Sequence, residues 1–224
     1  MLIISYKASE EFKRFLKENE IEFILTSPNP KLDSRIDDHP DLSLFKLDDN
    51  KIVAAEAVYD YYKDKLKGYE IIKGEDPSEK FPYDAIYNVV RFKDFYIHND
   101  FTEGHIQKYF EDNKIKHLKV KQGYSRCSII PLKNSLITAD FGIYKALKDK
   151  IKIDLVEQDE IALDGFDQGF LGGCCDLVRD NLIFTGDISK HKAFSKLESI
   201  CENQNIKIIY PKLDLIDYGS LICL

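Results

Sequence analysis

His39, Asp41, Cys127 and Cys174 are the side chains of this sequence whose types and spacing best suit group-transfer chemistry. Cys127 and Cys174 each stand 13 residues ahead of an aspartate that leads a predicted helix (127 to 140, 174 to 187), so they share one column of a repeating unit. Cys174 is the first candidate nucleophile, because Gly172 and Gly173 before it let a ligand approach the backbone closely. Cys127 is the second. A nucleophilic thiol needs a lowered pKa, which His39 or Arg126 would supply from across the site. His39 is the candidate general acid and base. Asp41 is an acceptor-only group suited to planar cationic donors. Asp84, Asn88, Arg126, Asp167 and Ser220 are the further candidates for holding a substrate.

Each of these residues also has a plainer reading. Cysteines at strand starts are often small buried apolar residues, and His-Pro-Asp is also ordinary turn chemistry. Cys175, one residue on, should face the other side of its strand and belong to the core. Cys201 falls on a helix stripe and Cys223 on the last strand, both structural positions. His98, His105, His117 and His191 lack partner motifs and read as surface or core. No HExxH or paired CxxC spacing is present, so no metal is expected. The run GFLGGCC lacks the lysine and hydroxyl residue of a phosphate-binding loop, and no cofactor is expected.

The elements that must position these residues repeat five times. Each unit is two short apolar strands around a tight turn, then a helix, then a third strand. The full copies begin near Asp41, Tyr87, Cys127 and Cys175. The fifth is split, with GSLICL (219–224) as its first strand and LIISYKASEEFKRFL (2–16) as its second strand and helix. Such repetition decides an architecture before single residues do. A unit alone would expose unpaired edges and an apolar face, so radial closure through pairing of 220–224 with 2–6 is expected.

Apolar spacing of three and four predicts the helices. Phe12, Phe15 and Leu16 mark the first, and Val58, Tyr61, Tyr62 and Leu66 the second. Ile106, Tyr109 and Phe110 mark the third, Ile143, Ala146 and Leu147 the fourth, and Phe194, Leu197, Ile200 and Cys201 the fifth. One narrow stripe on each places the helices outside the ring. Third strands are expected at 22–26, 69–72, 117–120, 151–156 and 207–210. Glu56, Asp100, Asp140 and Asp187 align just ahead of their helices and read as N-terminal caps, with Ser9 as the cap in the split repeat. The first strands bring five clusters to the ring axis: His39/Asp41, Asp84/Asn88, Arg126/Cys127, Cys174/Cys175/Asp176 and Ser220.

Composition limits the function classes. A chain of 224 residues that is 44% hydrophobic has material for one core, and a single domain over 1–224 is expected. No apolar run approaches the ~18 residues of a membrane span, and the N-terminus lacks the marks of a signal peptide. Five cysteines without a CxxC pair point to reduced thiols and a cytoplasmic location. The net charge of −7 argues against nucleic acid as a partner and is compatible with a small cationic ligand. The three longest connections, 27–40, 74–82 and 157–173, are acid-rich and should gather at one end of the ring, where repeat scaffolds carry binding loops.

A closed ring of five such units with its last repeat shared between the termini resembles the pentein fold of the guanidino-group modifying enzymes. More narrowly, HPDLSLF, YNVVRFKDFYIHN, KQGYSRCS, GFLGGCCD and DYGSL resemble an uncharacterised bacterial branch of that fold. The resemblance implies an α/β propeller with five-fold pseudo-symmetry. It also implies a cysteine that attacks a guanidinium carbon, a histidine that moves protons and carboxylates that hold the cation. His39-Pro40-Asp41 matches the H-x-D motif of these enzymes, and Gly172-Gly173-Cys174 resembles their glycine-cysteine motif. Their E-G-G-D element has no counterpart here. After H-x-D the next unit offers Asp84, Tyr87 and Asn88 where the arginine deiminases place the cysteine. The expected function is a cysteine-dependent hydrolase or transferase for a small guanidino or amidino compound. Its alternative is a non-catalytic ring that binds a metabolite or a protein.

Overall fold

The computed structural model describes residues 1–224. It contains five three-stranded sheets, each with its second strand in the middle. Four sheets come from consecutive sequence: Leu44–Lys46, Lys51–Ala55 and Glu70–Gly74; Val90–Phe92, Phe95–His98 and Lys116–Lys119; Ile129–Pro131, Leu136–Thr138 and Ile153–Leu155; Cys175–Val178, Asn181–Phe184 and Lys207–Ile209. In each the first pair is antiparallel and the second parallel. A parallel return needs a crossover, and a helix supplies it every time.

The fifth sheet joins the two ends of the chain. Ile222–Cys223 runs antiparallel to Leu2–Ile4, with Leu2 opposite Cys223 and Ile3 opposite Ile222, and Leu2–Ile4 runs parallel to Phe23–Leu25. First strands of neighbouring repeats touch around the axis. The fold is therefore the expected five-fold pseudo-symmetric α/β propeller, closed through its termini.

The helices obey one packing rule. Each buries a pair of side chains four residues apart: Phe12 and Leu16, Val58 and Tyr62, Ile106 and Phe110, Ile143 and Leu147, Leu197 and Cys201. Residues at this spacing lie one above the other on a helix face, so a two-residue stripe seats each helix on its sheet.

Three helix ends repeat as well. After Glu10–Glu18, Gly104–Asp112 and Phe194–Glu202 come Glu20, Lys114 and Asn205, with positive φ of 58°, 57° and 52°. The isoleucine that follows each one donates its amide back to the buried helix residue: Ile21 to Leu16, Ile115 to Phe110 and Ile206 to Cys201, at 2.8–2.9 Å. This pairing satisfies carbonyls that a helix end leaves free.

The expected caps divide. Asp140 accepts the Ile143 amide at 2.8 Å and Asp187 the Ser189 amide at 3.1 Å, and Ser9 caps its helix through Phe12. Glu56 and Asp100 instead pair with Lys73 and Lys119 in solvent. Their capping work passes to Asp76, which accepts from Ala57, and to buried Glu103, which accepts from Ile106.

Candidate functional site

Four first-strand clusters meet at the axis through direct hydrogen bonds. Cys127 lies in a single helical turn, Ser125–Ser128, that leads into its strand. Asn88 from the preceding repeat orients it: Asn88 Oδ1 accepts the amides of Arg126 (2.7 Å) and Cys127 (3.2 Å), which turns Nδ2 toward the Cys127 sulfur at 3.2 Å. On its other side the sulfur donates to Asp41 Oδ2 at 3.0 Å, and Ser220 Oγ donates to that same oxygen at 2.6 Å. Ser220 reaches it from a left-handed backbone conformation, φ 66°, which a residue with a Cβ adopts at some cost. All four residues are buried.

Both bonds to Asp41 fall on Oδ2, and buried Oδ1 has no partner. Burial pushes the Asp41 carboxyl up to about 6, against the opposing pull of the Cys127 and Ser220 hydrogen bonds. Burial also raises the Cys127 thiol well above its usual range, and Asp41 adds to the rise while Asn88 opposes it. The resting pair therefore holds the proton on the Cys127 thiol, hydrogen-bonded to the Asp41 carboxylate. Asp84 repeats the pattern one repeat on. Its Oδ2 accepts from Tyr124, its Oδ1 is buried without a partner, and burial raises its pKa.

His39 and Cys174 neighbour Asp217, which sequence reasoning missed. Its two oxygens accept the amides of Phe170 (2.8 Å) and Gly219 (2.9 Å), and burial raises its pKa. A methyl group at Gly173 would collide with this carboxylate, and one at Gly219 (φ +74°) would collide with the His39 ring. At both glycines the backbone must stay bare, as it must at Gly172, where a methyl group would meet the Arg126 and Cys127 carbonyls. His39 is buried, which lowers its pKa, with Asp217 opposing that shift. The Cys174 thiol donates to the Phe170 carbonyl at 3.4 Å, and burial and then Asp217 raise its pKa well above normal. Cys174 and His39 thus share a carboxylate neighbour. A signal for Asp217 was available: it stands three residues before Ser220, as Asp38 stands before Asp41.

Arg126 is wholly engaged. Its Nη2 pairs with Asp176 at 2.8 Å and donates to Cys175 O at 3.1 Å, while Nη1 donates to Gly172 O at 3.2 Å. Burial is the largest influence and works against its charge, but Asp176 and its other acidic neighbours, Asp41 among them, together hold its pKa above the ordinary value. Asp41, Arg126 and Asp176 line a cavity of about 160 Å³ along the axis, shared with Tyr87, Arg91 and Cys223. Asp167 is exposed on the 157–173 loop and lines a separate surface hollow with Asp187 and Asp214.

The other histidines are structural, with one exception. His98 is buried between Thr102 and Gly123 O, each at 2.9 Å, and burial lowers its pKa to about 4. His117 stacks on Tyr96, and His105 pairs with Glu103. His191 lines a cavity off the axis. No group of three or more His, Cys, Asp and Glu side chains is arranged to hold a metal ion. No helix is long and apolar enough to cross a membrane.

This ring, with its shared last repeat and its axial cluster, has the pentein fold, and solved structures of that fold superpose on it. The dimethylarginine dimethylaminohydrolase of Pseudomonas aeruginosa, complexed with citrulline, aligns with TM-score 0.57 at 12% identity, over 92% of this chain and 81% of that one. SxtG, an amidinotransferase of the saxitoxin pathway of Microseira wollei, aligns with TM-score 0.54 at 12% identity, over 95% and 80%. The product-bound N-terminal domain of ArgZ, an arginine dihydrolase of Cyanobacteria, aligns with TM-score 0.54 at 14% identity, over 92% and 80%. No curated protein matches the sequence. The chain belongs to a family of unknown function, DUF6873, whose profile matches residues 3–222.

Proposed function

We propose that the axial cluster binds the head group of a small guanidino or amidino compound, and that Cys127 attacks its central carbon as a hydrolase or amidinotransferase would. The observation that carries this reading is the Cys127 sulfur held between Asp41 Oδ2 at 3.0 Å and Asn88 Nδ2 at 3.2 Å. One partner takes the thiol proton and the other donates to the sulfur that loses it. The unpartnered buried oxygens of Asp41 and Asp84 support a cationic, planar, donor-rich ligand. A cation seated beside Asp41 would also lower the thiol pKa from its raised resting value.

In the proposed step the thiol proton passes to Asp41 as sulfur bonds to the guanidinium carbon. Asp41 then returns the proton to the leaving nitrogen as the carbon–nitrogen bond breaks. Water or a second amine displaces the sulfur from the resulting thiouronium and regenerates the thiol. Cys174 with His39 is the other pairing; its support is weaker, because the Cys174 proton already has an acceptor in Phe170 O. His39 and Asp217 would then serve as positioning residues at the edge of the cluster.

A non-catalytic ring remains the second reading, favoured by the raised pKa of both axial thiols. Turnover separates the two. Arginine, agmatine and guanidinoacetate would be offered with and without an acceptor amine, and ammonia, urea and amine release measured. The enzymatic reading expects release from at least one compound, abolished in Cys127→Ser and retained in Cys174→Ser. Saturable binding without release would establish the binding ring instead.

A further inference from the structure

Two residues that line one cavity each carry a buried polar atom without a hydrogen-bond partner. The atoms are Ser128 Oγ and His191 Nε2, on residues that are each 7% exposed. The cavity, about 300 Å³, lies between the repeats that begin near Cys127 and Cys175, beside the 157–173 loop. It could hold about ten waters at the ~30 Å³ each takes in the liquid, more than a bridging water needs.

The chemistry of the walls is specific. His191 Nδ1 accepts the Ala193 amide at 3.0 Å, so in the neutral ring the proton sits on Nε2, a donor without a protein partner on a residue that lines the cavity. Asp140 lines the same space with one oxygen bound to the Ile143 amide. Asp159 also lines it but is held by Lys192, at 3.0 Å to the ammonium and 2.9 Å to the amide. Gln168 spends its NH2 on the carbonyls of Asp159 and Gly169. Phe141, 65% exposed, and Phe170 supply flat apolar walls.

No lysine or arginine lines the cavity, and two carboxylates do; Lys192 offsets Asp159, but Asp140 has no cationic partner and would repel a carboxylate ligand. A cation would meet the His191 N–H head-on. A neutral group that both accepts and donates satisfies every wall.

We propose that this cavity is a second ligand site, for a small uncharged compound with a primary carboxamide. Its carbonyl oxygen accepts from His191 Nε2, its NH2 donates to Ser128 Oγ and the Asp140 carboxylate, and its apolar body lies against Phe141 and Phe170.

Benzamide is the probe, with benzoate and benzylamine as charged isosteres, read by calorimetric titration and by the 15N shift of the His191 ring. Benzamide is expected to bind saturably in the millimolar range or tighter and to move the Nε2–H signal. Benzoate and benzylamine should each bind at least about tenfold more weakly. Ser128→Ala should weaken benzamide several-fold, on the order of one lost hydrogen bond. His191→Phe should remove binding, and because Ala193 would lose its acceptor there, Ser128→Ala is the variant expected to keep the native fold. Absence of saturation, equal binding of benzoate, or unchanged affinity in Ser128→Ala would overturn the proposal, as would a benzamide-soaked crystal with only ordered waters on His191 and Ser128.

Discussion

Asp41 carries a conflict: a carboxylate at the axis whose proposed role needs charge and whose burial penalises it. Its pKa rises from 3.8 to about 6, so the folded state holds this proton more tightly than the unfolded chain. Its contribution to stability is full below about pH 4 and is lost as pH rises through 6. Asp41→Asn keeps an oxygen for both the Cys127 and Ser220 donors and puts its NH2 where Oδ1 has no partner. The substitution should therefore stabilise the fold at pH 7 by up to about 3 kcal/mol relative to its effect at pH 4, while removing the proposed chemistry. Urea unfolding of both proteins at the two pH values checks this. A gain that does not depend on pH would mean Asp41 is not strained by its charge. His98, held down to about 4 by burial, gives the opposite slope between pH 6.5 and 4, but it is common to both proteins and cancels in the comparison.

Among the elements, helix ends offer the sharpest tests. Glu20 and Lys114 occupy left-handed positions that glycine adopts without a Cβ penalty. Glu20→Gly and Lys114→Gly should each stabilise by about 0.5–1 kcal/mol, read as a rise in the thermal midpoint. Gly219 is the reverse case, with positive φ and the His39 ring against it. Gly219→Ala should cost at least about 2 kcal/mol. In a double-mutant cycle with His39→Ala, part of that cost should return, because the ring contacts go while the contact with the residue 39 Cβ and the backbone strain stay. Additive effects would separate His39 from Gly219. These elements were legible where local physics governs them: pairs of apolar residues four apart gave all five helices, and Ser9, Asp140 and Asp187 cap as their positions imply. Glu56 and Asp100 were not legible, because Asp76 and Glu103, which lie outside the aligned column, take the helix-start amides of Ala57 and Ile106.

For the molecule as a whole, Arg126 acts as a clasp. Its guanidinium joins its own repeat to Gly172, Cys175 and Asp176 of the next, and Asp176 in turn accepts the Cys223 amide of the closing strand at 3.0 Å. Arg126→Leu should destabilise by about 3–5 kcal/mol, since it strands a buried carboxylate. Arg126→Leu with Asp176→Asn should recover a substantial part, measured by chemical denaturation; no recovery would deny the clasp. Ring closure was legible from the split repeat, because half a unit at each end has one way to complete a sheet. The axial partners were less so. Repeat alignment brought Asp41, Asn88, Cys127 and Ser220 to one place, but alignment carries no side-chain directions. It could not tell that Arg126 spends its donors on carbonyls, that Cys174 bonds to Phe170, or that Asp217 anchors the closing strand.

The central claim is that Cys127 is poised by Asp41 and Asn88 to meet an amidinium carbon. Chloroacetamidine, which joins an amidinium head group to an alkylating centre, tests it most directly when labelling is mapped by peptide mass at neutral pH, with and without competing guanidino compounds. Fast labelling of Cys127 alone, suppressed by a guanidino competitor and slowed in Asn88→Ala, is the expected result. Slow and equal labelling of Cys127 and Cys174, indifferent to competitor, would contradict it.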